Sequence, residues 1–334
     1  MNKKSVLFVD FACPKPYDPF VLKHSGLGGT EATVVRVAEA LSTWYNVFVL
    51  QHNRDEISEF GATYFGLGQS LNIQPDFIVA LRDSVTLGAL REQYPRSRIY
   101  LWLHDLVSPI QATLHPLITE AKALPVFVSK WHKESSKEVL KGAGWNGEFR
   151  TDYIYNPVDD SIVPDDTEVD NYKLLFTSSP HKGLEYTIKV FKNLYNINNK
   201  FKLFIANPGY IETHKVDHPG IHTLGVLPHH KVIKELRSSL CLFHLNHVFP
   251  ETQGIVYTES QAVGTPFITH QIGAITENSD HPAQIVDTRD PKEVIDRVIK
   301  WSEGERPIVR CKPDFRMSEV IKKWTKLLEK NYVK

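Results

Sequence analysis

Short apolar runs that alternate with helix-patterned segments constrain this chain more than any other feature of its 334 residues. The runs at 6–11, 47–50, 77–81, 99–103 and 126–128 are rich in Val, Ile, Leu and Phe and are too short to be buried helices. A strand that is apolar along its whole length has to be covered on both faces, and connecting helices do that when the strands run parallel. After the first run, Val34, Val37, Ala38 and Leu41 recur at the helical period, as such a connection requires. A second series follows at 174–177, 203–206, 241–245, 266–269 and 285–286. Between the two series, the stretch from Asp159 to Glu168 is acidic and contains Pro164, the composition of an interdomain linker. The expected fold is therefore α/β, with two Rossmann-like domains in series at residues 1–160 and 161–334.

The 39 basic and 39 acidic residues cancel, so no overall charge draws the chain to nucleic acid or to an anionic membrane. Cys13, Cys241 and Cys311 are odd in number and far apart, which argues against a disulfide framework and for a reducing compartment, the cytoplasm. The apolar start at residues 5–9 is cut short by Asp10 and reads as a buried strand rather than a signal peptide. No uncharged apolar stretch reaches the roughly 20 residues of a membrane helix. The last segment, about 316–331, sets Val320, Ile321, Trp324, Leu327 and Leu328 on one helical face with Lys322, Lys323, Lys326 and Lys330 around it. Core packing is the expected use of that face, and a peripheral contact with the inner membrane surface is the other use open to it.

The densest chemistry lies at 249–266. Phe249-Pro250-Glu251-Thr252-Gln253-Gly254-Ile255-Val256-Tyr257-Thr258-Glu259 sets two carboxylates eight positions apart across a loop-to-helix junction. A glycine stands where the helix should begin, and Gly264-Thr265-Pro266 stands where it must stop. This is the layout of a phosphate and ribose site. Gly254 lets a ligand approach the backbone, the first N–H groups of the helix carry about half a positive charge toward a diphosphate, and Glu259 can accept from two ribose hydroxyls. Glu251, ahead of the helix, can face whatever the diphosphate carries.

Other candidates stand where strands should end. A long loop after the first strand leads to Gly28-Gly29-Thr30-Glu31, which lacks the third glycine of a dinucleotide fingerprint and otherwise reads as a flexible helix start. His104 and Asp105 follow the run at 99–103; His104 could donate to a sugar hydroxyl, and Asp105 could orient it or cap the next helix. Pro180-His181-Lys182-Gly183 opens a helix with a cation suited to a diphosphate. His214, His218 and His222 recur at helical spacing, but Pro219-Gly220 breaks the helix that would align them, and no metal site is expected.

The string 249–266 resembles the mark of the retaining glycosyltransferases of family 4, which have the GT-B fold: Glu, seven residues, Glu. The resemblance runs from Gly28 to about Glu277. It implies two Rossmann-like domains facing a central cleft, with the last helix crossing back to the first domain. It also implies a metal-independent enzyme without cofactor that moves a sugar from a nucleoside diphosphate to an acceptor. Glu251 would meet the transferred sugar; Gln253, Gly254 and Ile255 the donor; Glu259 its ribose; Lys182 and the Gly28-Gly29 loop its diphosphate; and His104 the sugar. Val226 and Leu227 match the stretch that holds the nucleobase through backbone groups, so no side-chain code names the base. Two departures stand out. Thr177, Ser178 and Ser179 occupy the stretch where many relatives carry a second cation, and Ala274 replaces the second of two glycines in a later loop. The implied acceptor is a cell-envelope glycan or a lipid-linked sugar, with protein and modified DNA as lesser alternatives. A sugar-nucleotide epimerase, a glycan phosphorylase and a non-catalytic nucleotide-sugar binder share the fold and are the rival functions.

Overall fold

A computed structural model describes residues 3–69, 71–207 and 216–330 of the chain. It divides into two compact units, one of residues 1–19, 30–157 and 318–334, the other of residues 20–29 and 158–317.

The first unit is built on an eight-stranded sheet of β1 (Ser5–Asp10), β2 (Asn46–Gln51), β3 (Ser58–Glu59), β4 (Thr63–Gly66), β5 (Phe77–Leu81), β6 (Arg98–Leu103), β7 (Leu124–Phe127) and β8 (Asp152–Tyr153), in the order β3-β4-β2-β1-β5-β6-β7-β8. All pairings are parallel except β3 with β4. The central strand β5 is apolar throughout, and every one of its residues is buried, as a sheet covered on both faces requires. Helix Gly29–Leu41, which follows β1 after a short helix at Pro19–His24, buries Val34, Val37, Ala38 and Leu41.

The amphipathic segment at the end of the chain is helix Met317–Glu329, whose buried face is Val320, Ile321, Trp324, Leu327 and Leu328. That face packs within the first unit: the Trp324 and Trp102 rings meet edge to face at 4.8 Å. The last carbonyls of the helix, which have no partner inside it, accept from the first unit's sheet, Leu327 from Tyr100 Oη at 3.3 Å and Leu328 from Arg98 Nη1 at 3.1 Å. An apolar face covered in this way is not open to lipid. Among the described residues no helix is long and apolar enough to cross a membrane.

The second unit has a five-stranded parallel sheet of β9 (Asp170–Thr177), β10 (Lys202–Asn207), β11 (Ile221–Val226), β12 (Ser239–Phe243) and β13 (Phe267–Ile268), in the order β11-β10-β9-β12-β13. Its core joins Leu174, Phe176, Phe191, Leu203, Phe243 and Val298. The apolar run at 285–286 contributes a single bridge, Ile285 to Thr269, rather than a strand. The edge strand β11 does not appear among the apolar runs, because at a sheet edge only Ile221 of its six residues is buried. The acidic stretch from Asp159 is tied to the second unit, where Arg237 pairs with Asp165 and Arg316 Nη1 donates to the Ile162 carbonyl.

Candidate functional site

In the second unit the chemistry gathers at the carboxyl ends of β9 and β12, the side where open parallel sheets hold ligands. After β9 the chain turns through Ser179 to Lys182, closed by Lys182 N–H donating to the Ser179 carbonyl at 3.0 Å, and enters helix Leu184–Ile197 at Gly183. After β12 it runs through the loop that carries Phe249 and Glu251 and enters helix Ile255–Ala262 at Gly254. These two loops bring Lys182 and Glu251 together: Nζ and Oε2 are 2.8 Å apart, with Glu251 only 4% exposed. The Phe249 ring lies 5.4 Å from the same ammonium. The Glu251 peptide is itself gripped. Ala274 N–H donates to its carbonyl at 2.9 Å, and Gly273, at φ 63°, passes so close that a Cβ there would run into the Glu251 backbone.

Gly254 has φ 77° and ψ 74° at the start of its helix, a left-handed conformation that side chains resist. A Cβ at that position would also lie 2.6 Å from the Tyr257 ring. Glu259 sits on the buried side of the helix, and its Oε1 accepts from His229 Nε2 at 2.7 Å. Gln253 is fully buried, and its carbonyl accepts from Asn278 Nδ2. Val226 closes β11 and is half exposed, and Leu227 follows it before helix His229–Arg237. Gly28 and Gly29 group with this unit, and a Cβ on Gly29 would meet Ile255 Cδ1 at 3.4 Å.

The first unit carries a different cluster at the same end of its sheet. Asp10, at the end of β1, accepts from Tyr17 Oη at 2.8 Å and from Ala12 N–H at 3.1 Å. Arg82, directly after β5 at φ 63°, lies 3.3 Å from Asp10 and 3.0 Å from Glu31. Burial opposes the charge on Arg82, but Asp10 and then Glu31 outweigh it and raise its pKa. His104, after β6, is 5% exposed and packs on Trp102 at 4.5 Å. Its Nε2 has no hydrogen-bond partner among the described residues. Burial, helped by Arg82 and His132, pushes the imidazole well below its ordinary range, so His104 is neutral at physiological pH. It is therefore a hydrogen-bonding group, not a cation. Asp105 caps no helix: Ser108 caps the next one, exchanging hydrogen bonds with Gln111 at 3.2 and 3.0 Å. The Asp105 carbonyl instead accepts from His132 Nε2 at 2.9 Å.

His214 lies outside the described residues, whereas His218 packs on Tyr195 and His222 stacks on Phe204. Two side chains that pair with the carboxylates of Glu259, Asp10 and Glu31 are absent from the sequence reading. His229 lies beside Leu227 in a stretch valued only for its backbone, and Arg82 follows a strand without any motif. A charged residue directly after a buried strand was the available signal for Arg82; His229 had none.

No curated protein matches the chain. Solved structures match nearly all of it. Anabaena Alr3699/HepE in complex with UDP and glucose is 16% identical over 98% of this chain and 99% of its own, with a TM-score of 0.68. An alpha-glucosyltransferase in complex with UDP and a 13-mer DNA is 10% identical over 98% and 100%, with a TM-score of 0.64. WaaG, a glycosyltransferase involved in lipopolysaccharide biosynthesis, is 10% identical over 97% and 99%, with a TM-score of 0.63. At these identities the likeness is one of fold, and the fold class is GT-B. Residues 175–324, from β9 into the last helix, match the family model of glycosyl transferases group 1, the family that this part of the chain is similar to.

Proposed function

We propose that this protein is a retaining glycosyltransferase that moves a sugar from a nucleoside diphosphate to a hydroxyl of a glycan or lipid-linked acceptor, working in the cytoplasm. The observation that carries the reading is the 2.8 Å contact between Lys182 and Glu251 beside the glycine-led start of helix Ile255–Ala262. It sets a cation for a diphosphate and a buried carboxylate for a sugar hydroxyl in one place. The diphosphate would take Lys182 and the first N–H groups of that helix, with Gly28 and Gly29 admitting it close to the backbone. Glu259, oriented by His229, would accept from the ribose, and backbone groups of Val226 and Leu227 would hold the base. The UDP in two of the similar structures makes uridine nucleotides the first donors to test.

In the proposed reaction the bond from the anomeric carbon to phosphate oxygen breaks while the acceptor oxygen bonds to the same face. The acceptor proton passes to the departing phosphate oxygen, whose charge Lys182 and the helix start stabilise. Glu251, held against Lys182, suits a hydroxyl contact better than backside attack. His104, neutral, supports a hydroxyl without serving as an obligatory base, so His104→Ala should leave measurable turnover. No step is assigned to a metal.

Calorimetry with UDP, GDP and ADP in excess chelator, followed by transfer from the matching sugar nucleotides, tests the proposal. Proton NMR of early product should show the donor's anomeric configuration kept. Absence of binding to all three nucleotides sinks the reading, an inverted product removes its mechanism, and a glycosyl adduct on Glu251 replaces it with double displacement.

A further inference from the structure

We infer that His244 is a positioning residue that aims the Lys182 ammonium at the donor diphosphate, an inference that rests on the donor site proposed above. His244 follows β12 and is fully buried. Its ring stacks on Tyr257 at 5.3 Å and 8°, and meets the edge of Phe176 at 5.0 Å. Both ring nitrogens are engaged. Nε2 lies 2.8 Å from the Lys182 carbonyl and Nδ1 lies 2.9 Å from Tyr257 Oη, which is 3.2 Å from Thr269 Oγ1. A carbonyl only accepts, so Nε2 carries the proton, and in a neutral ring Nδ1 then accepts from the tyrosine hydroxyl. Burial, which lowers the imidazole pKa to about 4, keeps the ring in that neutral form.

This relay sets the peptide that carries Lys182. The same turn rests on the β12 loop a second time, because a Cβ on Gly183 would lie 3.1 Å from Asn246 Cα. Two residues of one loop, His244 and Asn246, thus hold the turn that bears Lys182, and Glu251 in that loop receives the ammonium. Without the N–H of His244 the Lys182 peptide could rotate. Its long side chain would turn that rotation into a displacement of the ammonium of the order of 1 Å, enough to cost up to about 100-fold in a site that works by orientation.

The test is a binding cycle by calorimetry with the nucleoside diphosphate that the wild-type protein prefers. His244→Leu should weaken binding about tenfold, the loss of one hydrogen bond to a buried group. His244→Gln, whose amide nitrogen stands near the place of imidazole Nε2, should recover to within about threefold of wild type. In a Lys182→Ala background His244→Leu should change affinity by less than about twofold, since both substitutions remove one contact. A merely structural role would not produce this dependence on Lys182. Wild-type affinity in a folded His244→Leu, or the same loss with and without Lys182, overturns the inference. If His244→Leu does not fold, Tyr257→Phe stands in for it: it leaves the ring without its anchor and should weaken binding by about threefold, again only when Lys182 is present. Unchanged affinity in that variant overturns the inference equally. A wild-type protein that binds none of UDP, GDP and ADP overturns the donor site itself, and with it this role.

Discussion

Both sheets end in charged loops, but their helix starts are prepared for different things. In the first unit, helix Gly29–Leu41 carries Glu31 in its first turn, and Arg82 spans from that carboxylate to Asp10. The positive end of this helix is already answered by the protein's own anion. In the second unit, helix Ile255–Ala262 has no acidic residue in its first turn, opens on a left-handed glycine, and has Lys182 paired with Glu251 beside it. On the function proposed above, this positive end would meet the donor's diphosphate. The same strand-to-helix topology thus gives one self-neutralised cluster and one receptive one, and the difference lies in which side chain occupies the first turn.

The sharpest way to break this comparison is to remove each cation. Arg82→Ala should cost about 3–5 kcal/mol of unfolding stability, because it leaves two buried carboxylates without their guanidinium. Denaturant unfolding measures the loss, and nucleoside diphosphate affinity should stay within about twofold of wild type. A variant that kept its stability and lost its ligand would put Arg82 in the binding site and erase the contrast.

Acid should weaken the first unit more than the second, because burial holds both His104 and His132 below their ordinary range in the first and His244 in the second. Burial lowers His132 in the first unit and His244 in the second to about 4, against 6.5 in the unfolded chain. Between those values the unfolded state binds more protons. The stability is therefore fully present above pH 6.5, falls as the pH drops toward 4, and levels off once the folded rings also protonate. At about 1.4 kcal/mol per pH unit, each ring accounts for about 3 kcal/mol. Urea midpoints from pH 7.5 to 4.5 should fall less steeply in His132→Leu and in His244→Leu, each in its own unit. Equal slopes in wild type and variants would show that the rings are not the cause.

Lys182→Ala should weaken nucleoside diphosphate binding by about 1.5–3 kcal/mol, or about 10- to 150-fold, and should also lower stability, by less than Arg82→Ala does, since it leaves one buried carboxylate, Glu251, without its ammonium. Calorimetry reads the first and thermal unfolding the second. Unchanged binding in a folded protein would remove the receptive half of the comparison.

Much of the fold was legible in the chain because a buried parallel strand needs an unbroken apolar run, and β1, β5, β6 and β12 each have one. The strands β3, β4, β8 and β11 were not legible; three of them are at sheet edges, and β3 and β8 have only two residues each. In the candidate site, the glycine-led helix at Gly254 could be read from local order, because backbone sterics act between neighbours. The pairing of Lys182 with Glu251 could not, for the two are 69 positions apart and meet only because β9 and β12 are adjacent in the sheet.

By itself, then, the sequence determined the strand and helix periods, the turn at Gly254, and which residue types could meet a diphosphate. Those properties arise from contacts along the chain. Tertiary structure alone decided that His229 would orient Glu259, that His244 would hold the Lys182 peptide, and that Arg82 would answer Asp10 and Glu31. Hydrogen bonds and ion pairs act over about 3 Å, and which side chains come that close depends on strand order, which no local pattern encodes.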